Sequence, residues 1–465
     1  MDMSAGELKL RPGIAARLER LPMTNYQRSL FGIIATAWFF DSMDLGMMTF
    51  VLGSIKAEFA LTATQTGLLA SSSFLGMFLG AAIAGLLADR FGRKPVFQVS
   101  MVFWGVGSLL CGLADNVTSL MLFRVLLGFG MGMEFPIGLS MVSEIVPAKS
   151  RGKYVAILEG FWPIGFIAAG VLTYLLLPVI GWRGIFIALS VPAAFVFVVR
   201  RRVPESPRWL EDARWLEDVG REREADSTMA GIEAKVQRAW GAALPPVADT
   251  YAPAPRRDRK ALFTELWRGP YARRTVMLWL VWFFALLGYY GLTTWLGALL
   301  QQAGYAVTKS VLYTVYISLA GIPGFIFSAW LLERWGRKPT CALMLLGSAA
   351  AAYLYGQAAV LRLPVEQLIA AGLCMQFFLF GMWSVLYAYT PELYPTRSRA
   401  TGSGFASSIG RIGSLAGPYL VGVLLPVTGQ GGIFTLGALS FVVAALAVLL
   451  LGVETKGRAL EEVSH

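Results

Sequence analysis

The chain has 465 residues, of which 56% are apolar and only 15% charged, and its mean hydropathy is +0.59. This composition excludes an ordinary soluble protein, which needs more charge on its surface, and favours an integral membrane protein. The single histidine, His465, is the last residue and the three cysteines lie in apolar segments, so we expect no enzyme activity, metal site or cofactor.

Apolar segments of about 20 residues follow one another along the chain, each long enough to cross ~30 Å of hydrocarbon. We predict transmembrane helices over roughly 29–53, 65–88, 95–114, 117–143, 153–177, 182–199, 274–300, 308–332, 339–360, 366–390, 400–425 and 431–452. The predicted fold is an all-α membrane protein with twelve transmembrane helices. Its predicted parts are an amino-terminal segment (1–28), a bundle (29–199), a linker with short helices (200–273), a second bundle (274–452) and a tail (453–465).

The basic residues predict the orientation of these helices. If the amino terminus is cytoplasmic, 34 of the 40 Lys and Arg residues lie in cytoplasmic segments. Because basic residues accumulate on the cytoplasmic side of membrane proteins, we expect both termini and the linker on that side. The net charge of +11 therefore reflects topology, and no nucleic acid is expected as a partner.

Two short motifs occur once in each half of the chain. Segment 89–95 (Asp-Arg-Phe-Gly-Arg-Lys-Pro) follows the second span, and segment 333–339 (Glu-Arg-Trp-Gly-Arg-Lys-Pro) follows the eighth, 244 residues later. Segment 144–151 (Glu-x-x-Pro-x-x-Ser-Arg) follows the fourth span, and 392–399 repeats this pattern after the tenth, 248 residues later. The nearly equal offsets indicate a duplicated six-helix unit.

The charged residues of these repeats are candidates for a cytoplasmic gate. Ion pairs between neighbouring helix ends can hold one conformation and break in the other. Alternatively, the basic residues are only anchors on the cytoplasmic side. The predicted gating residues are Asp89, Arg93, Glu144, Arg151, Glu333, Arg337, Glu392 and Arg399.

The repeated motifs resemble those of the major facilitator superfamily over essentially the whole chain. Segments 204–208 (Pro-Glu-Ser-Pro-Arg) and 454–457 (Glu-Thr-Lys-Gly) are similar to motifs of its sugar-porter and organic-ion branch. Segment 41–44 (Asp-Ser-Met-Asp) resembles the Asp-Gly-x-Asp of aromatic-acid/proton symporters, with serine in place of glycine.

Three further segments, 132–136, 159–162 and 410–413, resemble bacterial niacin transporters more specifically. The synaptic vesicle glycoprotein 2 proteins are similar at a greater distance. The resemblance implies a monomeric transporter in a bacterial inner membrane, with the lipid bilayer, a small-molecule substrate and a proton as partners. It also implies alternating access, in which the two bundles rock about a site near the midplane.

Several charged residues lie inside predicted spans, where each costs roughly 2.5–3.5 kcal/mol on an insertion scale. Asp44 and Arg124 lie at similar depths, roughly 13 Å and 10 Å from the outer ends of their spans, so they can pair. In the similar sugar/proton symporters an Asp and an Arg at the matching positions couple transport to a proton; the alternative is a permanent structural salt bridge. Glu134 and Glu159 lie in the inner half, and we consider them for coupling, for pairing near the gate, or for hydrogen bonding to substrate when protonated.

Arg411 is predicted close to mid-membrane, where an unpaired guanidinium suits a carboxylate; alternatively, it pairs with an acid of its own bundle. Trp162 and Trp383 are predicted at similar depth in opposite bundles, where they can enclose a flat ring, or they simply pack helices. The predicted substrate-binding residues are Asp41, Trp162, Tyr289, Tyr290, Trp383, Tyr387 and Arg411.

These features predict a proton-coupled uptake transporter for a small aromatic carboxylate, with nicotinate as the first candidate. The alternatives are transport of another aromatic acid, a sugar or an organic cation, and a non-transporting binding protein. A sugar site would need more Asn and Gln than the spans contain, and the gate motifs kept in both halves argue against a protein that only binds.

Overall fold

The structure is a computed structural model. It describes residues 14–206, 210, 219–247, 263–394 and 398–456. These residues are mostly helical, and none of them forms a strand. The helices in chain order are α1 (Ile14–Glu19), α2 (Asn25–Glu58), α3 (Ala63–Phe91), α4 (Arg93–Gly112), α5 (Val117–Ile145), α6 (Ala148–Ser190), α7 (Val196–Arg202), α8 (Val219–Trp240), α9 (Pro270–Gln302), α10 (Val307–Leu319), α11 (Gly321–Trp335), α12 (Arg337–Val360), α13 (Val365–Glu392) and α14 (Arg399–Leu451).

Within the described residues, ten helical segments are long and apolar enough to cross a membrane. Two of these, Lys153–Arg202 and Thr401–Leu451, are 50 and 51 residues long, enough for two crossings each. A glycine with a left-handed backbone breaks each of them, Gly181 with φ 64° and Gly429 with φ 65°. The twelve predicted spans are therefore confirmed, although four of them occur as two broken pairs.

The spans form two bundles, α2 to α7 and α9 to α14, in which glycines allow close helix packing. A Cβ atom at Gly128 of α5 would collide with the carbonyl group of Ser73 in α3, and one at Gly413 of α14 with that of Phe283 in α9. Small residues are favoured at such contacts because lipid tails provide no hydrophobic drive for helix association.

The two bundles meet along α2 and α9, α3 and α14, and α6 and α10. A Cβ atom at Gly53 would collide with the side chain of Gln301, and one at Gly67 would lie 2.8 Å from the carbonyl oxygen of Pro418. These contacts lie toward the end of the bundles away from both termini, which we call the opposite face. The other end, which carries α1, α8 and the carboxy-terminal segment, is called the terminal face.

Part of the linker forms a helix on the terminal face, where α8 packs against α1. Arg17 pairs with Asp226 at 2.9 Å and with Glu233 at 2.6 Å, and Arg20 also pairs with Glu233 at 2.6 Å. Burial by itself would raise the pKa of Glu233, but the hydrogen bonds and charges of the two arginines outweigh it and hold that pKa below its ordinary value. These contacts tie the amino-terminal segment to the linker.

Candidate functional site

A cavity of about 600 Å³, including the part open to solvent, lies between the two bundles. Its lining residues recur three or four positions apart within each helix, as expected for one helix face. The amino-terminal bundle contributes Phe74, Met77, Phe135, Glu159, Trp162 and Pro163, and the carboxy-terminal bundle chiefly Trp282, Tyr290, Phe380, Trp383, Tyr387 and Arg411. We call this space the central cavity.

Aromatic rings form much of the wall of the central cavity. Trp383 stacks on Tyr387, with ring centroids 5.6 Å apart and an interplanar angle of 21°, and meets Tyr289 edge to face at 5.2 Å. On the other side, Trp162 packs edge to face against Phe135 at 5.6 Å. Trp162 and Trp383 thus line one cavity from opposite bundles, an arrangement that can receive a flat ring.

Arg411 provides a positive charge on the carboxy-terminal side of the central cavity. Ser407 and Ser414, one turn before and after it on α14, line the same cavity. The guanidinium carbon lies 5.5 Å from the ring centroid of Phe135 in the other bundle, a cation–π distance. In the described part of the chain no carboxylate pairs with Arg411, so the alternative of an acidic partner within its own bundle finds no support there.

Glu159 provides the acid on the amino-terminal side of the central cavity. Its residue is 5% exposed, and within the described ranges its Oε1 atom is buried without a hydrogen-bond partner. Pro163, one turn later on α6, lacks the N–H that would bond the Glu159 carbonyl, so the helix is also weakened at the cavity. The described lining of the cavity therefore has one carboxyl group and one guanidinium on opposite walls.

A smaller cavity of about 370 Å³ adjoins the first and shares Phe74, Trp162 and Tyr290 with it. Arg124 lines this second cavity, and its Nη1 lies 3.6 Å from Oδ1 of Asp44. Both residues are essentially fully buried, at 1% and 0% exposed. The pairing predicted from depth is thus present, at a distance that fits an ion pair but exceeds a hydrogen bond.

The structure does not bring three of the predicted residues to the lining of either cavity; they are Asp41, Asp44 and Glu134. Asp41 is 2% exposed, and neither of its carboxylate oxygens has a hydrogen-bond partner among the described residues. The next residue, Ser42, faces the smaller cavity and donates a hydrogen bond of 2.5 Å to the carbonyl of Trp162. Because one residue turns the helix by about 100°, Asp41 lies on a different face of α2. Tyr289, another predicted substrate-binding residue, lines the smaller cavity but not the central one.

Three of the predicted carboxy-terminal gate residues, Glu333, Arg337 and Glu392, form one cluster on the terminal face. Arg337 pairs with Glu392 at 3.0 Å and with Glu333 at 3.3 Å, and Thr455 donates a hydrogen bond of 2.5 Å to Glu392. Glu454 accepts the backbone N–H of Arg337 at 2.9 Å, at the start of α12. Burial alone would raise the pKa of Glu454, but several backbone N–H donors outweigh it and lower that pKa.

The amino-terminal gate repeats this arrangement with looser geometry. Arg93 lies 3.8 Å from Glu144, Ser206 donates a hydrogen bond to Glu144, and Glu205 accepts the backbone N–H of Arg93 at 3.0 Å. Here burial prevails over the N–H donors and raises the pKa of Glu205. Glu205 and Glu454 are 249 residues apart, close to the offset of the other repeats, so the duplication could have identified both from the sequence.

The remaining gate predictions have different outcomes. Arg151 pairs with Glu19 of α1 at 2.7 Å, a partner that the repeats could not indicate because α1 has no counterpart in them. Arg399 begins α14. The side chain of Asp89 lies outside the described residues.

The family model described as Major Facilitator Superfamily matches residues 34–364 and 317–463. The chain belongs to the major facilitator superfamily. It is 38% identical over 452 residues to the niacin transporter NiaP of Acinetobacter baylyi, covering 97% of this chain and 99% of that protein. It is 28% identical to the synaptic vesicle 2-related protein of Bos taurus, covering 96% and 82%.

Solved structures of the superfamily share the fold. The inward open conformation of the xylose transporter XylE from E. coli aligns with a TM-score of 0.72 and 20% identity, covering 94% of this chain and 99% of that one. A partially occluded inward open conformation of the same transporter aligns with a TM-score of 0.73. The resemblance predicted from the motifs is confirmed, and the chain is a multi-pass membrane transporter for a small molecule.

Proposed function

We propose that this member of the major facilitator superfamily is a secondary active uptake transporter for a small aromatic carboxylate, nicotinate first, and not an enzyme. The observation that carries the proposal is a central cavity with aromatic walls and one guanidinium without an acidic partner in the described residues. The similarity to a niacin transporter over nearly the full length of both chains supports the same substrate.

Recognition would combine one charge and two flat surfaces. The carboxylate of nicotinate would bind the guanidinium of Arg411 with two parallel hydrogen bonds. Its ring would lie between Trp162 and Trp383, which line the cavity from opposite bundles. A sugar fits this lining less well, since among the described residues the central cavity has no Asn or Gln. An organic cation would be repelled by the positive charge of Arg411.

Transport would proceed by alternating access between the two faces. The bundles pack together toward the opposite face, so the central cavity would open toward the terminal face in this conformation. The specific pairs Arg93–Glu144 and Arg337–Glu392 favour gating over a role as simple basic anchors, because an anchor needs no carboxylate partner.

Proton coupling would use the buried pair of Asp44 and Arg124. Protonation of Asp44 removes the negative charge that Arg124 faces. At 3.6 Å the two side chains form no hydrogen bond with each other, so none has to break. Binding of a proton would then change the packing of α2 against α5, beside the cavity that shares Trp162 with the central one. Glu134 and Glu159 are further proton-binding candidates in the same bundle.

The protein would act as a monomer in a bacterial inner membrane, with both termini and the linker in the cytoplasm. This orientation follows from the 34 basic residues assigned to that side.

Uptake into proteoliposomes tests the proposed substrate class. Purified protein is assayed with radiolabelled nicotinate, and unlabelled nicotinamide, benzoate, glucose and choline are offered as competitors. We expect saturable nicotinate uptake that benzoate reduces and that glucose and choline leave unchanged, with protein-free liposomes as control. Uptake of glucose or choline without uptake of nicotinate would overturn the proposal.

A further inference from the structure

We propose that the carboxyl group of Glu159, in its protonated form, donates a hydrogen bond to the ring nitrogen of nicotinate while Arg411 holds the carboxylate. The inference rests on the proposed function. It adds the hydrogen bond by which the site would distinguish a pyridine ring from a benzene ring. It also makes Glu159 a proton carrier that is loaded together with the substrate.

The position of Glu159 is the first support. Buried polar atoms in proteins nearly always have a hydrogen-bond partner, yet Oε1 of Glu159 has none among the described residues. The residue lines the central cavity between aromatic side chains, so a bound molecule is the available partner. Arg411 lines the same cavity from the other bundle, which places a donor for each end of a pyridine carboxylate on opposite walls.

Hydrogen-bonding chemistry determines which form of Glu159 fits. The nitrogen of a neutral pyridine ring only accepts hydrogen bonds, and an ionised carboxylate also only accepts them. A protonated carboxyl group has one O–H donor, so only this form can bond the ring nitrogen. A ligand with that nitrogen therefore selects protonated Glu159.

The balance of charge in the loaded cavity points the same way. Nicotinate brings one negative charge and Arg411 one positive charge, so an ionised Glu159 would leave one uncompensated charge in a mostly apolar space. Protonation of Glu159 makes the loaded site neutral. Release of the substrate removes this constraint, so the proton can leave afterwards.

The groups around Glu159 are consistent with this assignment. Charged or titratable side chains of other helices that share its cavity are Arg411 of α14, Tyr290 of α9 and Tyr387 of α13. The acids of the neighbouring helices α2 and α5 do not line this cavity; they are Asp41, Asp44, Glu58, Glu134 and Glu144. Charged residues of the other helices packed on α6, namely α4, α10 and α11, lie at the helix ends and also outside the lining. Glu159 is thus the one acid in the described lining that can meet the ring nitrogen.

The test compares nicotinate with benzoate, which has the carboxylate but no ring nitrogen. Dissociation constants are measured by calorimetry on the full-length protein and on Glu159→Leu and Glu159→Gln. Wild type should prefer nicotinate by about 10- to 100-fold, because benzoate leaves a buried O–H unsatisfied. Glu159→Leu should lose this preference, because nicotinate loses its donor and benzoate no longer leaves an O–H unsatisfied. Glu159→Gln should keep the preference because its amide N–H replaces the donor.

The matched control is Gln376→Leu, which removes a buried polar side chain of α13 that does not line the central cavity. It should keep the nicotinate preference. A second measurement follows the nicotinate dissociation constant with pH. Affinity should fall as pH rises in wild type, because Glu159 loses the donated proton, and should fall less in Glu159→Gln.

Each outcome decides a distinct claim. If wild type binds no nicotinate, the proposed function fails. If nicotinate binds but Glu159→Leu keeps the wild-type preference over benzoate, only the role of Glu159 is overturned. If Glu159→Leu does not fold, Glu159→Gln decides: an equal fall in affinity with pH in that variant and in wild type overturns the proton on Glu159.

Discussion

The charge of Arg411 is the feature on which carboxylate recognition depends. Replacing Arg411 with Gln keeps a polar side chain in the central cavity. The substitution removes the positive charge and one of the two parallel hydrogen bonds to the carboxylate. Truncating one partner of a buried, hydrogen-bonded charge pair costs about 2–5 kcal/mol, which corresponds to a rise in Kd of roughly 30- to 5,000-fold. We expect the lower half of this range, because the Arg411 residue is only half-buried.

The same structure predicts little effect of this substitution on folding. Arg411 has no acidic partner in the described residues, so Arg411→Gln leaves no carboxylate unpaired in the free protein. Arg124 differs, because its removal leaves Asp44 buried without its 3.6 Å partner. Arg124→Gln should therefore lower the thermal stability of the purified protein clearly more than Arg411→Gln.

Calorimetry with nicotinate and nicotinamide measures the recognition directly. Nicotinamide has the same ring but no charge, so Arg411→Gln should weaken nicotinate far more than nicotinamide. Arg411→Lys should restore only part of the nicotinate affinity, since an ammonium lacks the planar fork. An equal loss for both ligands would refute the reasoning and make Arg411 a structural residue.

Three other outcomes are expected. Trp162→Ala and Trp383→Ala should each weaken nicotinate binding by about 1–3 kcal/mol, by analogy with the stacking of aromatic side chains on nucleic-acid bases. The control Trp279→Ala removes a tryptophan that packs on another tryptophan away from the central cavity, so it should leave the binding unchanged. Unchanged Kd values in both cavity variants would contradict stacking. Asp44→Asn should abolish accumulation driven by a pH gradient but spare nicotinate exchange, and a wild-type protein that ignores an imposed gradient would exclude coupling. A cysteine introduced at Ala242 should resist membrane-impermeant labelling in intact cells, and labelling from outside would contradict the predicted topology.

The sequence predicts the spans and the duplication because both depend on local composition. A span needs about 20 apolar residues wherever it packs, and a duplicated motif keeps its spacing from its counterpart. The pairing of Asp44 with Arg124 was also predictable, since helix rise alone sets their depths.

The rotation of each helix about its axis could not be predicted from the sequence. Spans that are apolar nearly all round carry little information about which side faces a cavity and which faces lipid. The sequence therefore predicts Asp41 in the binding site although it lies one residue away from the cavity-lining face, and it does not indicate Phe135 or Trp282. The Arg151–Glu19 pair depends on how α1 docks, which no pattern within α1 indicates.

A structure of the purified protein with bound nicotinate tests the central claim most directly. We predict density for the ligand in the central cavity, with its ring between Trp162 and Trp383 and its carboxylate within hydrogen-bonding distance of Arg411. Nicotinate bound outside the cavity, or in it with the carboxylate away from Arg411, would contradict the account.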